Sequence, residues 1–165
     1  SKKCEITYYP YFSFADKNLL ECVKETIDLP NIFKISLEEF NKITTLKCPS
    51  KGIFSLKGLN NWGQLLEIDM SDNNISDISQ LRSLKNLKSI NFRLNNISDL
   101  SVLKYIRHLD KAYFEYNNIS SLDSILYTGD FPHFSKQHSN IFVGDNDPAV
   151  CAPYAPIIFD NRYCN

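Results

Sequence analysis

Glycine is scarce in this sequence of 165 residues, with 5, and methionine and tryptophan occur once each. No glycine-rich loop that could cradle a phosphate is present, and no G-x-S-x-G elbow that would carry a nucleophile. Neither sign of charge is in excess: 18 Lys and Arg stand against 19 Asp and Glu, for a net charge of −1. That balance excludes a nucleic-acid module driven by gross electrostatics, while leaving room for a local basic patch. No apolar run approaches the roughly 18 residues that a spanning helix needs, so no membrane insertion is expected. No charged-then-apolar leader follows Ser1, so an export signal is either removed or never present. Cysteine is missing from the whole stretch between residues 49 and 150.

What the sequence does have is apolar material, 43% of residues, including 9 Tyr and 11 Phe. That is enough for a core. The five cysteines, Cys4, Cys22, Cys48, Cys151 and Cys164, lie towards the two ends. None forms a closely spaced pair, which argues against zinc. Clustering at the ends suggests staples on terminal caps and an oxidising compartment: secreted, periplasmic or cell-surface. The expected pairing is Cys151–Cys164 plus one bridge among Cys4, Cys22 and Cys48, with one thiol left over. Five reduced thiols in a cytosolic protein is the alternative, and Cys22 and Cys48 could equally be small buried hydrophobes.

Three segments share one tetrapeptide at a spacing of 22 residues: Asn73-Asn74-Ile75-Ser76, Asn95-Asn96-Ile97-Ser98 and Asn117-Asn118-Ile119-Ser120. Apolar positions recur in the same frame. Leu65, Leu87 and Leu109 align, as do Ile68, Ile90 and Ala112, then Met70, Phe92 and Phe114, then Ile78, Leu100 and Leu122. Leu46, Cys48, Ile53 and Leu56 extend the frame backwards, with Lys51 in place of the Asn. Ile141, Val143 and Asn146 continue it forwards after about seven extra residues. One such unit cannot bury its apolar side alone, so stacked units must share a core. Period-two alternation at Ile68-x-Met70 and its equivalents marks short strands. Asn73, Asn95, Asn117 and Asn146 fall where the chain leaves the strand. Their amides carry both donor and acceptor and can satisfy successive turns, a structural Asn ladder. Asn74, Asn96 and Asn118 also spell Asn-x-Ser, read as a by-product of the repeat.

The pattern L-x-x-L-x-L-x-x-N-x-I-x-x-L resembles the leucine-rich repeat, and over residues 40–123 it resembles the 22-residue repeats of bacterial internalins and their relatives. Leu46 to Leu59, with Gly52-Ile53 and Leu56-Lys57-Gly58-Leu59, is similar to the opening of an internalin array, and Phe14 to Ile43 to the helical cap before it. The resemblance implies an α/β solenoid, a right-handed horseshoe of about 4–5 coils, with a helical N-terminal cap and a cysteine-containing C-terminal cap. It also implies binding without catalysis and a bacterial source. The corresponding division is 1–45 for the aromatic opening and helical cap, 46–123 for the repeats, and 124–165 for an irregular last coil and C-terminal cap.

Within the cap, residues 15–27 read as an amphipathic helix with Leu19, Cys22, Val23, Thr26 and Ile27 on one face. Ser36 and Glu39 form a capping box before a short helix whose Leu37, Phe40 and Ile43 would face the core. Asn146, Pro148 and Cys151 resemble the capping tails of extracellular repeat arrays.

No catalytic residue, metal or cofactor is nominated. His133 and His138, with Asp130 nearby, lack a third ligand, and Asp145-Asn146-Asp147 lacks the rest of a calcium loop. The candidate site is instead the concave face, where alternate strand residues point outward. These include Glu67, Asp69, Asn91, Arg93, Lys111, Tyr113, Glu115, Tyr116 and Phe142. Tyr and Arg are the residue types that most often carry interface energy. The expected function is a non-catalytic module that binds a protein or peptide partner there, with Tyr113 and Arg93 replaceable at little cost in stability. Alternatives are an immunity or inhibitor protein, a secreted effector, or a structural subunit of an envelope assembly. Partner identity and oligomeric state are not legible.

Overall fold

A computed structural model of the chain describes residues 13–27, 35–126 and 140–144. Five short parallel strands form one sheet in chain order: β1 (Thr45–Lys47), β2 (Glu67–Asp69), β3 (Ser89–Asn91), β4 (Lys111–Tyr113) and β5 (Asn140–Phe142). Leu46 pairs with Ile68, Ile68 with Ile90 and Ile90 with Ala112, one repeat length at each step. The last step is longer and pairs Ala112 with Ile141, so the extra residues are absorbed between β4 and β5 without shifting the inward face.

Each strand presents one middle side chain to the core, and the rest of the coil supplies the others. Leu46, Ile68, Ile90 and Ala112 make one buried column, and Cys48, Met70, Phe92 and Phe114 a second. Ile53, Ile75, Ile97 and Ile119 follow, then Leu56, Ile78, Leu100 and Leu122. Three 3-10 turns at Leu59–Asn61, Ser79–Ser83 and Ser101–Tyr105 bring in Leu59, Leu81 and Leu103, and Trp62, Leu84 and Ile106 lie behind them. Burying each aliphatic side chain contributes about 1.5–3 kcal/mol, and every column depends on the neighbouring coil for its cover. Phe92 and Phe114 stack in parallel with centroids 5.9 Å apart.

The N-terminal end is sealed by α1 (Lys17–Ile27) and α2 (Leu37–Asn41). Asp16 is wholly buried and starts α1: its Oδ1 accepts from the backbone N–H of Asn18 and Leu19. Its Oδ2 accepts from the N–H of Phe54 and Ser55, which ties the helix start to the first coil. Leu19, Cys22 and Val23 are buried, and Ile27 packs against the core's edge. Thr26 is exposed, its hydroxyl donating to the Cys22 carbonyl. Cys22 is disulfide-bonded to Cys48, just beyond β1, with Cα atoms 5.8 Å apart. Cys4, Cys151, Cys164 and Asn146 lie outside the described residues.

The Ser36 hydroxyl accepts from the Glu39 N–H, and the Glu39 carboxylate accepts from the Ser36 N–H, closing a capping box on α2. The Ser36 hydroxyl and then the Ser36 N–H, both donating to the Glu39 carboxylate, hold that carboxyl below its ordinary pKa. Leu37 does not join the core as the sequence suggests; it is 55% exposed. Leu37 opens a helix of five residues whose buried residue is Phe40, seated edge-on against Trp62 at 5.0 Å. Trp62 also meets Phe14 at 6.0 Å. Gly58 (φ 112°) makes that approach possible, since a Cβ there would lie 2.5 Å from the Ser13 carbonyl oxygen.

Candidate functional site

The residue that turns the chain out of each strand is in the left-handed region: Ser50, Asp72 and Leu94 at φ 55° and Tyr116 at φ 58°. None is glycine, so each coil tolerates a conformation that side chains disfavour. What holds it is the Asn that follows Asp72, Leu94 and Tyr116; at Ser50, where Lys51 follows, Asn73 of the next coil reaches across. The Asn73 amide donates to the carbonyls of Cys48 and Met70, and its Oδ1 accepts from the N–H of Lys51 and Ile53. Asn95 repeats this with Met70, Phe92 and the Ile75 N–H. Asn117 does so with Phe92, Phe114 and the Ile97 N–H. All three are buried. The turn positions are thereby stacked in register, which fixes where their side chains emerge.

The outer sheet face carries the candidate binding residues. Glu67, Asp69 and Asn91 are half-buried and Lys111 is exposed. Glu67 pairs with Lys47 at 3.1 Å, and the Ser71 hydroxyl donates to Asp69 at 2.7 Å. The early coils therefore present carboxylates already engaged by neighbours. Further along, Arg93 and Tyr113 come together with the guanidinium carbon 4.5 Å from the ring centroid. Arg93 also donates to Glu115 at 2.7 Å. Glu115 is only 4% exposed, so it lies beneath Arg93 and braces it. Its second carboxylate oxygen is buried without a hydrogen-bond partner among the described residues. Beside this cluster, Leu94 and Tyr116 are 50% and 53% exposed and occupy equivalent places in successive coils. Phe142 follows Tyr113 in the strand register; its side chain is outside what the structure describes.

Among the described residues, no group of three or more His, Cys, Asp or Glu is placed to hold a metal ion, and no helix is long and apolar enough to cross a membrane. His133, His138, Asp130 and Asp145 lie outside the described residues.

A family model described as leucine-rich repeats, two copies, matches residues 64–105. The solved structure of an internalin from Listeria monocytogenes superposes with a TM-score of 0.70 at 20% identity, covering 87% of this chain and 48% of its own. The chain has the internalin-type leucine-rich-repeat fold. It spans about half the length of that internalin. An internalin C2 from Listeria monocytogenes matches at 16% identity over 95% of this chain and 96% of its own, with a TM-score of 0.37. A Clostridium perfringens ZmpB structure, containing CBM51-2 and INT domains, matches at 26% identity over 58% of this chain and 20% of its own, with a TM-score of 0.46. No curated protein matches the sequence significantly.

Two features, one in the cap and one in the repeats, escape the sequence reading. Asp16 falls inside the stretch 15–27 read as an amphipathic helix, off its apolar face, and is not singled out there. Its place immediately before the first helical turn is the signal for a cap. Glu115 reads as an outward side chain by alternation, but it lies beyond the last residue of β4, where strict alternation lapses.

Proposed function

We propose that this leucine-rich-repeat array is a non-catalytic binding module for a protein or peptide, with its centre at Leu94, Arg93, Tyr113 and Tyr116 on the concave side. The observation that carries this reading is the pair Leu94 and Tyr116, large apolar side chains about half exposed and stacked one coil apart. Their backbones are held in the left-handed region by the buried Asn turns, so they stand out with little freedom to lose on binding. An Arg stacked on a Tyr beside them adds the residue types richest in interface energy. Five strands about 4.8 Å apart span roughly 20 Å, enough for a helix, loop or peptide. The Cys22–Cys48 bridge supports a place outside the cytoplasm.

The test is a parallel capture of partners from the source organism's envelope, secreted fraction and contacted surfaces, with wild type and Leu94→Ala/Tyr116→Ala. A central anchor is worth about 2 kcal/mol, so a partner bound by wild type should lose roughly thirtyfold in affinity to the variant. A partner bound equally by both moves binding to the caps and refutes the concave reading.

A further inference from the structure

The net charge of −1 conceals a segregated basic ridge. On the return path from the 3-10 turns to the strands, one coil carries Arg82, Lys85 and Lys88 and the next carries Lys104 and Arg107. The repeat stacks Arg82 with Lys104 and Lys85 with Arg107. This is visible at Tyr105, whose ring lies 4.2 Å from the Arg82 guanidinium and 5.2 Å from the Lys104 ammonium. At the strand end the Asp110 N–H donates to the Lys88 carbonyl, so there a Lys and an Asp occupy equivalent places and the ridge ends. None of these five cations belongs to a salt bridge among the described residues. Asp110 is the one carboxylate in these two segments, 82–88 and 104–110. The preceding coil has no charge at all between Asn60 and Leu66, so the ridge is not a property of the repeat itself.

Arg82 with Lys104 and Lys85 with Arg107 are like charges held one coil apart, and they repel each other; Asp110 offsets only the strand end of the ridge, beside Lys88. We propose that this ridge is a second binding surface, distinct from the concave face, for an anionic polysaccharide bearing sulfate, carboxylate or phosphate groups. The ridge carries no large apolar anchor apart from Leu66 at its margin, whereas a protein interface draws its energy from such anchors. It is a row of long, flexible cations, the arrangement that tracks a polymer with regularly repeated anions. The disulfide points to a compartment where acidic glycans are the abundant polyanions and nucleic acid is not.

The test titrates the full chain with a heparin-derived sulfated oligosaccharide and, separately, an oligogalacturonate, each at two salt concentrations. Saturable binding to either, weakened by salt, is the expected result. Lys85→Glu/Arg107→Glu should lower that affinity at least about tenfold. Lys17→Glu/Lys42→Glu, the same charge change on the cap, should change it less than about twofold, and Leu94→Ala/Tyr116→Ala not at all. Melting curves of each variant report folding, and the milder Lys85→Ala/Arg107→Ala serves if the charge swap unfolds. No binding to either polymer, equal loss in the cap variant, or preference for poly-glutamate or single-stranded DNA of matched charge would overturn the proposal.

Discussion

Asn95→Ala isolates what the buried turn amides contribute. The Asn95 side chain makes four contacts: its Nδ2 donates to the carbonyls of Met70, Phe92 and Arg93, and its Oδ1 accepts from the Ile75 N–H. Removing it does not orphan the three carbonyls. Met70 still accepts from the Asn73 amide, Phe92 from the Asn117 amide and Arg93 from the Asp72 N–H. The Ile75 N–H has no second acceptor in these contacts, and it is buried. One orphaned donor costs about 1–3 kcal/mol, and the lost bonds to already-satisfied carbonyls add a smaller amount, for a total of about 3 kcal/mol. In a chain of this length that lowers Tm by about 6–12 °C. Asn96→Ala, one residue along, should cost less than about 0.5 kcal/mol, because Asn96 is exposed and its contact to Ile75 is made by its backbone. Urea titration and thermal melting followed by far-UV circular dichroism measure both. A cost below about 1 kcal/mol for Asn95→Ala, or equal costs for the two variants, would refute the reasoning.

Arg93→Ala should destabilise the fold by about 2 kcal/mol, less than the roughly 3–5 of a fully buried pair, because 39% of the Arg93 side chain is already in water. Adding Glu115→Gln should recover part of the loss, and chemical denaturation of the single and double variants would show it. Arg93→Ala is therefore a poor probe of binding alone. Reducing the Cys22–Cys48 bridge, which joins residues 26 apart, should cost about 3 kcal/mol in the chain-entropy model, seen as a lower urea midpoint with dithiothreitol. Gly58→Ala should loosen the N-terminal segment, since the new Cβ would meet the Ser13 carbonyl and the Phe14 ring. The single tryptophan, Trp62, lies against Phe14 and Phe40, so its emission should shift to the red while far-UV circular dichroism of the repeats changes little.

The repeat frame, the direction of the inward column and the lengthened last coil are all legible in the sequence, because stacking makes each coil obey the same spacing as its neighbour. Ile68, Ile90 and Ala112 must face one core, and one shift of a residue would turn every one of them to water. The helical cap is legible for a similar local reason, as amphipathic spacing and a capping box. What depends on contacts between coils is not local and could be settled only by the tertiary structure. Alternation places Glu115 among the outward residues, but Arg93, one coil earlier, covers it. Leu94 and Tyr116 sit in a turn that no propensity favours for them, and the buried amides of Asn95 and Asn117 hold it. Cys22 could have paired with several partners until the packing of α1 against β1 set its distance to Cys48. The basic ridge is spread through the sequence with acids between its parts, and only the one-coil stacking gathers it. Local pattern thus determined the fold, because each coil repeats its own constraints. The surface was decided by which side chains the stack brings together across 22 residues.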